Sequence, residues 1–411
     1  MTKIKTNRNN TNNVPPLRFP EFSGEWKEHK LRNVCKLLSG GTPALDISCY
    51  WNGNIPFISA TAMHKLYIVD SEQYLSEEGL AHGSKLLKQG NLLLLVRGSM
   101  LWKRIPVCYN KVDVAFNQDV KGIIPNNITD SSFLLYWFLS QENHIKYMVT
   151  GTGIGAGKLD MEDLLSMKIL IPPQDEQRKV VSLLQLIDNR IAAQNKIIEK
   201  YGSLIQAMCD TLIESEQHKV ELSFNDFGEP YSGLSGKSAE DFGEGCPYIT
   251  YVNVYQNRII DTSNVGLVKI NEIEQQSVVR YGDILFTLSS ETPEEVGMGA
   301  VYLGETYPLY LNSFCFGIHI IDESKIFPPF LVYYISTQSF RKAVFPLAQG
   351  STRFNLQKSD FMKKSFPFPT VERQIKIYSI LKAYSDKLSV EKRIVKLLCE
   401  QKNYLQHQLF I

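Results

Sequence analysis

The sequence predicts an α/β (α+β) protein with two tandem, mostly β domains separated by two long antiparallel coiled-coil helices. The halves are expected to be pseudo-two-fold symmetric. Three observations predict this. First, the 411-residue chain repeats itself: an offset of 197 carries Gln177 to Gln374, Phe133 to Phe330, Gly153 to Gly350, Leu159 to Leu356, Leu184 to Leu381 and Leu212 to Leu409. Upstream the offset shrinks, so that Asn117 matches Asn312, Gly90 matches Gly282 and Pro56 matches Pro247. Second, each copy opens with short apolar runs punctuated by Gly, Pro and Asn, which is the signature of short strands. Third, each copy ends in a long run with apolar residues stepping by threes and fours, which is a coiled-coil seam.

In chain order, residues 1–14 read as a disordered Asn/Thr-rich tail and 15–172 as the first domain. A turn at Ser39-Gly40-Gly41-Thr42-Pro43 precedes expected strands at Ile55–Ile58, Asn91–Val96, Val112–Phe116 and Val120–Ile124. Ser131 and Ser132 are expected to cap a helix from Phe133 to Met148. The second domain, 215–369, repeats this order. Its glycine turn is Ser232-Gly233-Leu234-Ser235-Gly236-Lys237, its strand Asp283–Thr287, and its helix Phe330–Ser339 behind Pro328 and Pro329.

The two helical runs occupy 173–214 and 370–411, and no proline interrupts them after Pro173 at the start of the first. The first seam reads Leu184, Ile187, Ile191, Gln194, Ile198, Tyr201, Ile205, Met208 and Leu212. The second reads Leu381, Tyr384, Leu388, Glu391, Val395, Leu398, Lys402, Leu405 and Leu409. At ~1.5 Å per residue each helix is ~60 Å long, too long to bury such a stripe alone. Each has one evident partner, the other. Gln194 and Glu391 are equivalent mid-helix seam positions. They either set the register by contact or snorkel to solvent.

Composition excludes several functions. A formal net charge of +1 means that any basic surface is local. Seven scattered cysteines without a CxxC pair argue against a disulfide framework and against thiolate metal sites, and fit a reduced cytoplasm. No apolar run approaches the ~20 residues needed to cross a bilayer. The seven histidines lack metal-ligand spacing, and there is no Gly-x-Ser-x-Gly. Gly151-Thr152-Gly153-Ile154-Gly155-Ala156-Gly157-Lys158-Leu159 fails as a phosphate loop. Thr152 stands where the first glycine is required, and Leu159 where the Ser or Thr should be. The segment is either a loop that approaches a polyanion or an inert linker. Without a methyltransferase motif, a fused methyltransferase reading is also disfavoured.

Side chains suited to DNA fall in matching loops of the two copies. In the first they are Thr42, Trp51, Arg97, Lys103, Arg104, Asn117, Gln118 and Lys158. In the second they are Lys237, Tyr251, Asn253, Ser289, Ser290, Asn312, Ser313 and Arg353. Arg and Lys can address guanine edges or phosphates, and Asn or Gln can pair with adenine. Any one of these could be an ordinary surface residue; the set gains weight from falling at corresponding places. One frame with two sets of loops suits a target in two different halves.

At these residues the chain resembles the specificity subunit of Type I restriction–modification systems, over nearly its whole length. The resemblance rests on the duplication, on Leu17-Arg18-Phe19-Pro20, on the Ser39–Pro43 turn and on Ile171-Pro172-Pro173-Gln174-Asp175-Glu176-Gln177. In the second copy it rests on Gly233–Lys237, Phe286–Thr292 and Leu311–Phe316. It implies two target-recognition domains that each read half of a bipartite double-stranded DNA site, and a helix pair acting as spacer. It implies docking of two modification (methyltransferase) subunits and assembly with restriction (translocase/nuclease) subunits. S-adenosylmethionine, ATP and Mg are then expected on those partners and no cofactor on this chain, which would be a non-catalytic cytoplasmic subunit. The rival reading is a coiled-coil scaffold that never touches DNA.

Overall fold

The computed structural model describes residues 13–152, 155–271, 273–305 and 307–411. Of the expected tail, residues 1–12 lie outside the described residues, while the Asn13 carbonyl accepts the Trp26 N–H. Gly153 and Ile154 of the glycine-rich segment also lie outside them. The chain forms two compact units. One takes the chain up to Gln194 together with Ile394–Ile411, and the other is Asn195–Arg393.

Each unit is a mixed lobe built to one plan. In the first, Lys27–Lys30 pairs antiparallel with Lys168–Ile171, so the lobe's first and last strands are neighbours. In the second, Lys219–Ser223 pairs with Ser365–Pro369 in the same way. Each chain segment therefore enters and leaves its lobe at one place, the arrangement of an exchangeable module. The main sheet of the first lobe runs Cys35–Ser39, Val120–Pro125, Leu92–Leu95, Val107–Asn110, Tyr67–Ile68. The main sheet of the second runs Gly228–Ser232, Cys315–Ile320, Ile284–Thr287, Gly299–Val301. Leu92–Leu95 is buried throughout, as a central strand covered on both faces must be. Behind the first sheet packs Ser131–Ser140, which buries Phe133, Leu134, Leu135, Tyr136, Trp137 and Phe138.

Asp130, rather than the serines, caps that helix by accepting the Ser132 and Phe133 amides. The helix ends at Ser140, and a separate short turn covers Glu142–Lys146. The second lobe breaks likewise, into Pro328–Tyr334 and Gln338–Val344. The Thr337 side chain caps the later piece by accepting the Phe340 amide, and a new cap starts a new helix.

The long helices run over Gln174–Glu214 and Val371–Leu409, and they pack together. Within the first unit, Val180, Val181 and Leu184 of the central helix share a core with Leu405 and Leu409 of the C-terminal helix and with Phe410 just beyond it. Lys402 pairs with Asp188 at 2.6 Å. Residue numbers rise on one helix as they fall on the other, so the packing is antiparallel. Within the second unit, Ile205, Cys209 and Ile213 share a core with Ile377, Leu381 and Leu388. Of the remaining seam residues, Ile187 and Leu398 are buried, and Ile191, Ile198 and Val395 are half-buried. Glu391 is buried and pairs with Lys387 at 2.8 Å, and Gln194 is half-buried.

The glutamine shared by both helix starts explains the repeated motif. Gln177 is wholly buried, and its Nε2 donates to the carbonyls of Ile128 and Pro172, both at 2.9 Å. Its Oε1 accepts the Asp130 amide at 2.8 Å. Gln374, equally buried, donates to the carbonyls of Lys325 and Pro369 and accepts the Phe327 amide. Each glutamine thus pins a helix start to the loop beneath its own lobe. The adjacent residue, by contrast, reverses sign between copies. Glu176 binds Arg18 and the Trp26 indole N–H, whereas Arg373 binds Glu216. At ~1–3 kcal/mol for each buried group left unpaired, Gln177→Ala is expected to cost about 3 kcal/mol. Gln374→Ala should cost a similar amount. Denaturant unfolding checks both; a loss no larger than that of an exposed-site control would remove the pinning role.

Candidate nucleic-acid interface

In both lobes the glycine turn lies against the asparagine loop. The Gly41 amide donates to the Phe116 carbonyl at 3.0 Å, and the Leu234 amide to the Leu311 carbonyl at 2.7 Å. The two asparagines do the same job. Asn117 Oδ1 accepts the Asp119 amide and Asn312 Oδ1 the Phe314 amide, each closing a tight Asx turn. Thr42 donates to Gln118 Oε1 at 2.8 Å, which links turn and loop in the first lobe. Thr42, Gln118 and Ser313 stand exposed on these tips, while Asn117 is buried.

In the second lobe this junction opens a cleft of about 420 Å³. Lys237, Asn312, Ser313 and Phe314 line it, with Phe242 and Tyr248. The Arg353 guanidinium sits 5.0 Å from the exposed Phe314 ring, and its Nε donates to Ser289 Oγ at 3.1 Å.

Several candidates are committed to holding the frame. The Lys237 side chain, only 4% exposed, pairs its ammonium with Glu274 and holds that carboxyl below the usual carboxylate range. Asn253 is buried, and its amide donates to the carbonyls of Asp261 and Asn264 and accepts the Asp261 amide. Both functions of that amide are spent on one loop. Trp51 is half-buried, donates to the Ala44 carbonyl and meets Phe57 edge-on at 5.1 Å. Tyr251 is half-buried and stacks on Tyr255. Ser290 is buried, and its hydroxyl holds Glu295 below the usual carboxylate range.

The remaining cations are exposed and flank a small sheet. Arg97, Lys103, Arg104 and Lys158 all face solvent. Arg104 Nη2 donates to the Met63 carbonyl at 2.8 Å, which holds its guanidinium beside the lobe. Arg97 and Lys158 are direct partners on neighbouring antiparallel strands. Beside them Trp102 is 48% exposed, with its indole N–H held by the Gly155 carbonyl at 3.0 Å. Trp102 and Phe314 are absent from the sequence-derived set. Aromatic spacing alone gives neither away, although both lie next to residues of that set.

Taken together, each lobe presents a loop junction and a small sheet rich in hydrogen-bonding and cationic groups. Among the described residues no group of three or more His, Cys, Asp or Glu is placed to hold a metal ion. No described helix is long and apolar enough to cross a membrane.

Comparison with known proteins places this arrangement. The family model for the Type I restriction modification DNA specificity domain matches twice, at residues 23–200 and 231–398. The chain is 33% identical over 174 residues to the Type I restriction enzyme EcoR124I/EcoR124II specificity subunit of Escherichia coli, covering 42% of this chain and 43% of that protein. It is 24% identical over 409 residues to the Type I restriction enzyme MjaVIII specificity subunit of Methanocaldococcus jannaschii, covering 92% of this chain and 89% of that protein. Its fold is similar to the crystal structure of a Type I restriction-modification system S subunit from M. genitalium. There the TM-score is 0.52 at 17% identity, over 97% of this chain and 99% of that one. A second solved structure, from work on complex assembly and conformational transition of the type I R-M system, gives a TM-score of 0.58 at 14% identity, over 93% and 97%. The chain belongs to the Type I restriction modification DNA specificity domain family and carries that domain twice, making it a recognition protein and not an enzyme.

Proposed function

We propose that this chain is the DNA-reading subunit of a Type I restriction–modification complex and that each lobe reads one half of a bipartite double-stranded site. One observation carries the reading. The two lobes keep the same framework, from glycine turn and Asx loop to small sheet, and change the exposed side chains on it. A duplicated reader with two different tips suits two different half-sites. Of the sequence-derived candidates, the exposed groups Thr42, Arg97, Lys103, Arg104, Gln118, Lys158, Ser313 and Arg353 are available to DNA. Lys237, Asn253 and Ser290 position them.

The long helices set the gap between half-sites and dock two modification subunits. Their outer faces carry exposed apolar residues that the seam does not use. On the C-terminal helix Val390, Leu397 and Tyr404 recur every seven residues, and on the central helix Leu186, Ile197 and Leu204 are exposed. Such a stripe suits a partner helix. Methyl transfer, with its S-adenosylmethionine, then belongs to the modification subunits, and ATP and Mg to the restriction subunits. With a net charge of +1, the chain draws part of its DNA affinity from those partners. Leu397→Glu combined with Tyr404→Glu is expected to weaken capture of the modification subunit at least tenfold, as read by size-exclusion chromatography. An unchanged complex would move the docking face elsewhere.

The decisive test maps methylated adenines in cells that carry the modification subunit, with and without this chain. Expected is a two-part motif with a fixed gap that vanishes when the chain is absent. If methylation is indifferent to the chain, and no duplex is bound with the partner present, the coiled-coil scaffold reading takes over.

A further inference from the structure

The small sheet in each lobe places three residues in a row across its strands. In the first lobe Thr150 of Val149–Gly151 partners Lys158 of Gly157–Leu159, which partners Arg97 of Arg97–Gly98. In the second, Gln349 of Ala348–Gln349 partners Asn355 of Phe354–Leu356, which partners Ser289 of Ser289–Ser290. Directly opposed residues of an antiparallel ladder share a face, and the next residue points to the other. In both lobes that next residue is a buried leucine, Leu159 or Leu356. Thr150, Lys158, Arg97, Gln349 and Asn355 are all exposed, whereas Ser289 is buried and its hydroxyl accepts the Arg353 Nε–H. The rows are therefore equivalent in the ladder but differ in chemistry, and all of their positions except Ser289 are open to solvent.

Arg97 opposite Lys158 is a pairing of like charges, and such pairs destabilise a sheet. Among the described residues neither has a carboxylate within salt-bridge distance. The second lobe makes the same ladder with neutral Ser289 and Asn355, so the fold does not require the charge. A cation doublet kept against its own repulsion calls for an electron-rich ligand. Three strands ~4.8 Å apart make a row ~10 Å across, and the B-DNA major groove is ~12 Å wide and admits a β-ribbon.

We propose that this cross-strand row is the base-reading element of each lobe, inserted in the major groove. Arg97 and Lys158, which can only donate, address guanine N7 and O6 in the first half-site. Asn355 and Gln349, whose amides donate and accept, address adenine N6 and N7 in the second. The inference rests on the DNA reading proposed above and adds which residues read, on which strands, and which purine each lobe prefers.

The test exchanges the rows in the full chain assembled with its modification subunits. One variant carries Thr150→Gln, Lys158→Asn and Arg97→Ser; the reciprocal carries Gln349→Thr, Asn355→Lys and Ser289→Arg. Each exchange is expected to change the bases of one half of the methylated motif and leave the other half intact. Binding of a duplex with the original half-site should weaken roughly 10- to 100-fold. The single variants Lys158→Asn and Asn355→Lys lie on exposed positions and keep the test alive if a triple variant fails to fold. They should shift the purine preference at one position of their half-site. An unchanged motif overturns the proposal, and so does a loss confined to salt dependence, since the row would then hold phosphate and read nothing. Failure of the unaltered complex to bind any duplex would instead sink the DNA reading itself.

Discussion

Four residues inserted into each long helix, after Gln194 and after Arg393, are expected to widen the gap between half-sites while leaving their bases unchanged. Four residues add ~6 Å of helix and turn it by ~400°, so the apolar seam returns to within ~40° of its place. At ~3.4 Å per base pair the added length corresponds to about two base pairs. Two residues would add ~3 Å but turn the seam by ~200°, sending it to solvent. That variant should lose binding. So should four residues placed in one helix only, because seam residues such as Leu184, Ile205, Leu381 and Leu398 would no longer face their partners. Methylation mapping reads all three. If the matched insertion keeps the original gap with full activity, the helices do not act as a spacer.

The long helices were legible because their period runs unbroken for about forty residues, and two such stripes in one chain supply each other's partner. The duplication was legible because spacing survives where sequence drifts. What the pattern hid was the use of polar residues. Gln177 and Gln374 look like ordinary first-turn residues, yet both are wholly buried and hold loops from about fifty residues upstream. The available signal was their identity at an offset of 197, beside a position that changes from Glu176 to Arg373. Lys237 and Asn253 look like contact residues by type, but Lys237 is taken by Glu274, far along the chain, and Asn253 by the backbone of the loop at Asp261, a fold-back that residue type alone does not reveal. The row of Thr150, Lys158 and Arg97 depends on pairing between strands some sixty residues apart. Only the folded ladder shows that Asn355 and Gln349 stand in the equivalent row.

Gly40→Ala and Gly233→Ala are each expected to cut binding of the bipartite duplex at least tenfold, because the added methyl has no room in either lobe. A Cβ at Gly40 would lie 2.1 Å from the Phe116 carbonyl oxygen and 2.8 Å from that of Asn117. A Cβ at Gly233 would lie 2.1 Å from the Asn312 carbonyl oxygen. Backbone atoms cannot swing aside as a side-chain tip can, so the turn must lift off the loop. In the first lobe that breaks the Gly41–Phe116 hydrogen bond and parts Thr42 from Gln118. Overpacking of this kind costs ~1–3 kcal/mol, enough to displace a tip without unfolding the lobe. Gly202 is the control. It lies inside the central helix, and a Cβ there meets nothing within 4 Å. Gly202→Ala should raise stability by up to ~1 kcal/mol through helix propensity and leave DNA binding alone. The contrast separates two meanings of glycine, since loss at Gly40 and Gly233 with gain at Gly202 ties recognition to the close turn-on-loop approach. Equal tolerance at all three would show that the paired turns are free to move, and that the shared frame of the two lobes does not hold their reading surfaces.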